Sequence, residues 1–312
     1  MNKTALFFPG QASQYIGMGK DLYDHSAEVR RLYELASDEI GEDIARLSFD
    51  GPAEELKRTR FTQPAILLHS LAVLSVMESD GVAFDYAAGH SLGEYGALAV
   101  CGALSFEDAV RAVVRRAALM EDACVANPGT MAAVMGLSEE QIADVCRQAS
   151  SAGIVVPANY NSDAQIVVSG AVAGVEKAAE LARQAGAKRA IVLEVGGAFH
   201  SPLMEPAREG LESYLADVAI NAPARPVIAN VTADEARDGA EIRRLLVQQI
   251  TAPVRWAQTM TFLRDRGVTR IIEIGPGKVL TGLARREMKP EQSINLDRLE
   301  DIHVFAAANV EN

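Results

Sequence analysis

Short apolar runs alternate with helical patterns along residues 1–126. Ala5–Phe8 is an apolar run that predicts a strand, and Pro9-Gly10 ends it. Alternation of this kind predicts an α/β fold with a parallel central sheet. A second strand is predicted at Phe84–Ala88, and the predicted helices are Val29–Ile40, Thr62–Ser79, Leu92–Val100 and Phe106–Ala123. The last of these helices is expected to have a polar face that carries Arg111, Arg115 and Arg116.

Residues 127–196 have a compact pattern of their own, which begins near Asn127-Pro128-Gly129. Their order is strand, helix, strand, strand, helix, strand, which is typical of a ferredoxin-like domain. We therefore predict a small ferredoxin-like domain, 127–196, inserted in a large α/β domain formed by 1–126 and 197–312. Ser138 is the expected start of its first helix, with a glutamate at the capping-box position. The predicted strands are Thr130–Gly136, Ile154–Ala158, Gln165–Ser169 and Ala190–Val195, and the predicted helices are Ser138–Ser150 and Val172–Gly186.

The alternating pattern returns after Gly196-Gly197. It predicts helices at Pro202–Ala216, Glu241–Ile250, Arg255–Arg266 and Lys278–Arg286, and strands at Pro226–Asn230 and Arg270–Ile274. From Pro290 onward the chain is polar, so we expect a loosely held tail.

Composition and charge narrow the class of protein. Of 312 residues, 49% are hydrophobic and 23% are charged, an ordinary globular balance. The net charge of −12 argues against nucleic-acid binding. Cys101, Cys124 and Cys146 are far apart and match no metal-site spacing, which predicts reduced thiols, a cytoplasmic location and no metal. The longest apolar windows, Ala65–Met77 and Leu92–Leu104, are too short to span a bilayer, so no membrane association is expected.

The sequence Gly89-His90-Ser91-Leu92-Gly93 is a G-x-S-x-G pentapeptide between a predicted strand and a predicted helix. In that context the serine of such a motif is exposed on a sharp turn, so Ser91 is a candidate nucleophile. The N–H of Leu92 is a candidate oxyanion donor, and Gln11 in the loop after the first strand is a candidate for the second donor. The alternative is a turn of small residues without chemistry.

A serine nucleophile needs a base, and His200 is the best placed of five histidines. It lies where the chain returns from the insert to the large domain, and clefts between domains often bind ligands. His69 is expected to be a core histidine, and His90 to point away from its neighbour Ser91. The group that orients the base is left open. The amide candidates are Gln249 and Asn161, and the acids are Glu194, Glu205, Asp217 and Asp234.

Several longer motifs include these residues. They are Phe8-Pro9-Gly10-Gln11-Ala12-Ser13-Gln14, Phe61-Thr62-Gln63-Pro64-Ala65, Gly89-His90-Ser91-Leu92-Gly93-Glu94-Tyr95, Asn159-Tyr160-Asn161-Ser162, Gly197-Ala198-Phe199-His200-Ser201-Pro202-Leu203-Met204 and Ile274-Gly275-Pro276-Gly277-Lys278-Val279-Leu280. In these motifs, and in their order over residues 4–286, the chain resembles the malonyl-CoA:acyl-carrier-protein transacylases of fatty-acid synthesis and the acyltransferase domains of polyketide synthases.

The resemblance implies a hydrolase-like large domain with a ferredoxin-like insert. It also implies that Ser91 and His200 form a catalytic dyad, and that the main chain of Gln249 orients the histidine. Gln11 and Leu92 would supply the oxyanion N–H groups.

Substrate selection is implied by the same resemblance. Arg116 would hold the malonyl carboxylate, with Arg115 as the neighbouring alternative, and a guanidinium suits a carboxylate because it forms two parallel hydrogen bonds. The sequence Gly197-Ala198-Phe199-His200 resembles that of family members that select malonyl groups over branched ones, since the bulky ring of Phe199 leaves little room for an α-methyl group. Gln63 and Asn161 are expected to support the pocket.

The expected reaction moves a malonyl group from malonyl-CoA to the phosphopantetheine thiol of acyl-carrier protein, without metal or cofactor. We expect a monomer. Three alternatives are a stand-alone acyltransferase that loads polyketide carriers, a thioester hydrolase and a non-catalytic interaction module. Lys188-Arg189, Arg285-Arg286 and the run 264–270 are basic clusters that could dock an acidic carrier or be solvated faces, and the sequence does not decide between them.

Overall fold

The computed structural model describes residues 3–77 and 82–310, which fold around two β-sheets. In the first part of the chain strands alternate with helices, as the sequence predicts. The elements are β1 (Lys3–Phe8), α1 (Lys20–His25), α2 (Ala27–Ile40), α3 (Ile44–Asp50), α4 (Ala53–Leu56), α5 (Thr59–Met77), β2 (Tyr86–Gly89), α6 (Gly93–Val100) and α7 (Phe106–Ala126).

A four-stranded antiparallel sheet follows, with the strand order of a ferredoxin-like fold. Its elements are β3 (Gly129–Met135), α8 (Glu139–Ala149), β4 (Val155–Ser162), β5 (Gln165–Ala171), α9 (Val172–Gln184) and β6 (Arg189–Val192), and the order across the sheet is β4-β5-β3-β6. Alternate residues of β3 face opposite sides of this sheet. Ala132 and Val134 pack with α8 and α9, whereas Met131 and Ala133 belong to the core of the large sheet.

The remaining elements complete the large sheet and its covering helices. They are a 3₁₀ turn (Pro202–Met204), α10 (Glu205–Leu215), β7 (Val227–Ile228), β8 (Glu235–Ala236), α11 (Gly239–Gln249), α12 (Trp256–Asp265), β9 (Val268–Ile274), α13 (Val279–Glu287), β10 (Gln292–Leu296) and α14 (Leu299–Val310).

The large sheet has the order β10-β9-β1-β2-β7-β8 and is parallel except for the β7–β8 pair. Strand β1 lies in its centre and is buried on both faces. Leu6 and Phe8 pack into one apolar cluster, while Ala5 and Phe7 pack into another. Burial on both faces explains why this strand reads as an unbroken apolar run. The α/β class with a parallel main sheet and a small second sheet is confirmed.

The carboxyl ends of β1 and β2 lie side by side, with Phe8 paired to Gly89. The loop after β1 and the turn after β2 therefore leave the sheet at the same edge. This register brings Gln11 and Ser91 to one cavity, although they are far apart in sequence.

Three local predictions need correction. The tail after Pro290 is not loosely held, because β10 pairs with β9 along its length and α14 packs against α5. The capping box at Ser138 uses Gln141, which occupies the third helical position, rather than a glutamate. The predicted strand Pro226–Asn230 is reduced to the two residues of β7. The predicted end of the helix at Ser79 lies outside the described residues, and the predicted domain boundaries stay predictions.

Candidate active site

Ser91 lies in a left-handed backbone conformation between β2 and α6, with φ of 52°. Such a conformation is costly for a residue other than glycine, and it is common at functional turns. The two flanking glycines allow the turn to close. A Cβ on Gly89 would overlap the backbone of Gly93, and a Cβ on Gly93 would overlap the carbonyl of Phe8. The pentapeptide therefore forms the tight strand-to-helix turn that its glycines predict.

His200 contacts Ser91 directly and is almost completely buried. Its Nε2 lies 2.9 Å from Ser91 Oγ, and its Nδ1 lies 2.8 Å from the main-chain oxygen of Gln249. A carbonyl oxygen only accepts, so Nδ1 carries the proton and donates to it. Nε2 is then free to accept a hydrogen bond from the Ser91 hydroxyl, which is the arrangement that a general base requires.

The surroundings keep this ring neutral. Burial, together with the charge of Arg116, lowers the pKa of His200 to about 3. A neutral ring is the form that accepts a proton, whereas a protonated ring could not serve as the base.

The orienting group that the sequence left open is a main-chain carbonyl. In the part of the chain that the structure describes, neither ring nitrogen of His200 bonds to a carboxylate. The Oδ1 of Asn161 instead lies 2.9 Å from Nε2 of His90, whose pKa burial lowers. Asn161 is therefore near the site but does not orient His200.

Arg116 is fully buried and points at the nucleophile. One terminal nitrogen donates to Gln63 Oε1 at 2.6 Å. The other donates to Gln249 Oε1 at 2.9 Å and to Ser91 Oγ at 3.0 Å. Arg115, its neighbour on α7, is exposed. The sequence-based expectation that Arg116 shares a polar helix face with Arg111 and Arg115 is wrong, since packing of α7 against α5 turns it inward.

Two further residues of the site were missed from the sequence. Asn230 follows β7 and clamps the turn, since its Nδ2 donates to the Gly89 carbonyl at 2.6 Å and its Oδ1 accepts from the Ser91 N–H at 2.7 Å. Glu94, in the first turn of α6, accepts from the Asn230 N–H at 3.0 Å and from Gln249 Nε2 at 2.8 Å. A charged residue inside the apolar window that begins at Leu92 was the available signal for Glu94.

Burial dominates the titration of Glu94. It raises the pKa to about 7, although the hydrogen bonds from Asn230 and Gln249 and the charge of Arg116 act in the opposite direction. Gln249 Nε2 also donates to the Ser91 carbonyl at 3.1 Å. The nucleophile, the arginine and the buried acid are thus joined through one glutamine side chain.

A cavity of about 530 Å³ lies above Ser91, between the two sheets. It is lined by Gln11, Gln63, Phe199, His200 and Asn161. Its apolar walls come from α7, from the small sheet and the segment after β6, and from α13, and include Met120, Met131, Val167, Leu193, Val195 and Leu280. Leu92 is buried at the start of α6, and the N–H groups of Gln11 and Leu92 have no backbone acceptor within the described ranges. Both stay available as oxyanion donors.

Two of the three basic clusters contribute residues to concavities at the site. Lys188, Arg189 and Arg286 line a second, smaller concavity that shares Gln165 and Arg286 with the main one. Lys278 lies on the wall of the main cavity. Four basic residues thus line the two concavities of a chain whose net charge is −12.

The structure offers neither a metal site nor a disulfide among the residues it describes. The three cysteines are free, and burial raises the pKa of each thiol to about 12. Across 3–77 and 82–310, none of the helices has the length and apolar character needed to cross a membrane.

Comparison with known proteins gives similarity over nearly the whole chain. Residues 6–300 match the family model described as the acyl transferase domain. The malonyl CoA-acyl carrier protein transacylase of Bacillus subtilis is 45% identical over 97% of this chain and 96% of its own length. The crystal structure of an acyl-carrier-protein S-malonyltransferase from Bartonella henselae superposes with a TM-score of 0.93 at 41% identity, covering 98% of this chain and 99% of that one. A malonyl-transacylase in complex with a type II polyketide synthase acyl-carrier protein gives a TM-score of 0.93 at 38% identity, covering 99% and 100%.

Proposed function

The chain belongs to the acyl transferase domain family, and we propose that it transfers malonyl groups from malonyl-CoA to holo-acyl-carrier protein in fatty-acid synthesis. The reaction is a thioester exchange through a malonyl ester on Ser91. The observation that carries the proposal is the position of Arg116, whose guanidinium lies 3.0 Å from the Ser91 hydroxyl oxygen. A buried guanidinium at a nucleophile suits an acyl group that ends in a carboxylate.

In the first half-reaction Ser91 Oγ attacks the thioester carbonyl of malonyl-CoA as Nε2 of His200 takes its proton. The carbonyl oxygen becomes an oxyanion, which the N–H groups of Gln11 and Leu92 are placed to receive. The C–S bond then breaks, the proton passes from His200 to the CoA thiolate, and CoA leaves as the thiol.

In the second half-reaction the phosphopantetheine thiol of the carrier enters the same cavity. His200 accepts the proton of this thiol, and the sulfur attacks the ester carbonyl. The ester bond to Ser91 Oγ breaks, and His200 returns the proton to the serine. The enzyme is regenerated, and the malonyl group leaves as a carrier thioester.

Arg116 would hold the malonyl carboxylate through both steps. Among the residues that the structure describes, its hydrogen-bond partners are two neutral amides and a hydroxyl, so no carboxylate contacts it directly. An acyl group without a carboxylate would leave the buried charge unpaired, so it should react more slowly. Phe199, on the cavity wall, would disfavour an α-branched acyl group.

The exchange changes no oxidation state and uses a side-chain base, so the proposal includes no metal or redox cofactor. The three free cysteines support a cytoplasmic location. A monomeric state, without nucleic-acid or membrane partners, is part of the same proposal.

Trapping the acyl-enzyme tests the proposed function. Incubation with malonyl-CoA alone should add one malonyl group to the Ser91 peptide, as seen by mass spectrometry, and holo-carrier protein should then remove it with formation of malonyl-carrier. Ser91→Ala should form neither product. Malonyl transfer that persists in Ser91→Ala would overturn the proposal.

The polyketide alternative has one specific observation in its favour, namely the similar transacylase solved with a type II polyketide synthase carrier. The residues around Ser91 would be the same in both settings. A panel of fatty-acid and polyketide carriers, compared by kcat/KM, separates them. Consumption of malonyl-CoA without any carrier would instead favour a thioester hydrolase.

A further inference from the structure

Glu94 is a buried carboxyl group three residues after the nucleophile, and the proposed reaction gives it no chemical step. Only 3% of the residue is exposed. Its Oε2 accepts two hydrogen bonds, one from the main chain of Asn230 and one from the side chain of Gln249. Burying a carboxyl group is unfavourable unless hydrogen-bond partners compensate for the lost water. A buried glutamate beside the nucleophile is therefore a candidate for a role in the reaction.

Gln249 joins this carboxyl group to Arg116. Its Oε1 accepts from the guanidinium at 2.9 Å, and its Nε2 donates to Glu94 at 2.8 Å. Rotation of the amide by 180° would place its oxygen against a carboxylate and its NH₂ against a group that has no acceptor. Glu94 and Arg116 therefore fix the same orientation of this amide from opposite sides.

We propose that Glu94 is a positioning residue, which acts through the Gln249 amide to hold the Arg116 guanidinium where it meets the malonyl carboxylate. This inference rests on the proposed function. The amide has a second consequence, because a carboxylate placed directly on Arg116 would occupy the two-nitrogen fork that the substrate needs. Glu94 instead lies one amide away, where its oxygen holds the Gln249 amide without blocking the fork.

The test is the ratio of kcat/KM for malonyl-CoA to kcat/KM for acetyl-CoA, measured for acyl-enzyme formation. In Glu94→Ala the Gln249 amide loses its acceptor, and the guanidinium is no longer held. We expect the ratio to fall by about 10- to 100-fold, since small displacements of a positioning group have effects of this size. A role in folding alone would lower both rates together and leave the ratio unchanged.

The conservative variant Glu94→Gln keeps a carbonyl oxygen that can accept both hydrogen bonds. We therefore expect its ratio to stay within about threefold of the wild type, which is small against the loss expected in Glu94→Ala. Glu273→Ala is the matched control, since Glu273 is a buried glutamate that accepts from the N–H groups of Leu280 and Thr281 and does not contact Arg116. Its removal should lower stability without changing the ratio.

A double-mutant cycle with Gln249→Met separates the pathway from a general loss of packing. If Glu94 acts through Gln249, the ratio in the double variant should equal that of Gln249→Met alone. Where Glu94→Ala does not fold, the two remaining single variants carry the test. Gln249→Met must then lower the ratio, whereas Glu94→Gln must leave it nearly unchanged. An unchanged ratio in Glu94→Ala, an equal loss in Glu94→Gln, or additive losses in the cycle would overturn the inference. Failure of the proposed function would differ, because the wild type itself would then form no malonyl ester.

Discussion

Nδ1 of His200 donates a hydrogen bond to the main-chain carbonyl of Gln249 at 2.8 Å, in the place where a Ser-His-Asp triad has a carboxylate. The orientation of the base therefore does not depend on which side chain occupies position 249. It depends on the backbone at the end of α11, which is buried at Gln249.

Removing the base should be far more damaging than removing the Gln249 side chain. We expect His200→Ala to lower kcat for acyl-enzyme formation by about 10²- to 10⁴-fold, the usual contribution of a general base. Gln249→Met keeps the carbonyl and should retain most of the kcat with acetyl-CoA. Rapid-quench measurement of both variants checks this, and equal losses would assign the orienting role to the side chain.

The pH dependence of acylation should lack the step that a free histidine would give. Since the pKa of His200 is lowered to about 3, the ring stays neutral as pH falls through 6.5. We therefore expect His200 to cause no loss of kcat/KM until the pH approaches that value. In Arg116→Ala one cause of the lowered pKa is lost, so the acid limb should move up toward 6.5, whereas Arg115→Ala should keep the wild-type profile.

Glu94 is the group that could produce a separate step in this profile, because burial raises its pKa to about 7. A change of rate near that pH should disappear in Glu94→Gln if it belongs to this carboxyl group. A step near 6.5 that survives in Glu94→Gln would contradict the neutral state of His200.

Arg116 and Arg115 form a natural pair of test and control for acyl-group selection. Arg116→Ala should lose malonyl transfer and gain relative activity toward acetyl-CoA, because an unpaired carboxylate in the cavity is then unfavourable. Arg115→Ala should change neither rate. Competition between the two CoA thioesters measures the preference directly, and unchanged selectivity in Arg116→Ala would place carboxylate recognition elsewhere.

The same pair shows where sequence reasoning about the site stops. The periodicity of α7 predicts a helix and an arginine-bearing face, but neighbouring residues differ by about 100° around a helix axis. Which arginine faces inward is decided by how α7 packs on α5 and α10. The motif resemblance placed the role at Arg116, and the burial of that residue agrees with this placement.

Other parts of the site depend on contacts between distant segments. Ser91 and the turn follow from a local pattern, since the glycines and the strand-to-helix context lie within a few residues. Asn230 clamps that turn from 139 residues away in sequence, and nothing in its neighbourhood marks it. Likewise β10 lies at the edge of the sheet, where polar residues are tolerated, and it is held in place by pairing with β9. Because composition does not reveal this pairing, the polar sequence after Pro290 predicted a loosely held tail.

The tightness of the turn predicts a contrast between two glycines. Gly89→Ala would place a Cβ against the backbone of Gly93, and we expect it to lower the free energy of unfolding by about 1–3 kcal/mol or more. Gly282, inside α13, has no atom within 4 Å of the corresponding position, so Gly282→Ala should raise it by about 0.5–1 kcal/mol. Denaturant unfolding measures both, and equal effects would contradict the close approach at the turn.

Asp297 links the C-terminal segment to the rest of the large domain, and its removal should be strongly destabilising. Its carboxylate accepts from the Tyr15 hydroxyl at 2.8 Å and from the Gly277 N–H at 3.2 Å, and its Oδ1 lies 3.0 Å from Nε2 of buried His69. We expect Asp297→Ala to lower the free energy of unfolding by about 2 kcal/mol or more, because these groups lose their acceptor. Asp265→Ala, an exposed aspartate paired with adjacent Arg264, is the control and should change it by less than about 0.5 kcal/mol.

The pH dependence of this difference has a definite sign. Burial would raise the pKa of Asp297, but the hydrogen bonds from His69, Tyr15 and Gly277 outweigh it and hold the pKa below its usual value. A carboxyl group whose pKa is lowered by folding stabilises the protein above its unfolded pKa of about 3.9, and this contribution is lost as pH falls through the folded value. The stability gap between wild type and Asp297→Ala should therefore be constant at neutral pH and shrink below about pH 4. A gap that widens on acidification would mean that the carboxylate is not the charged acceptor that joins these segments.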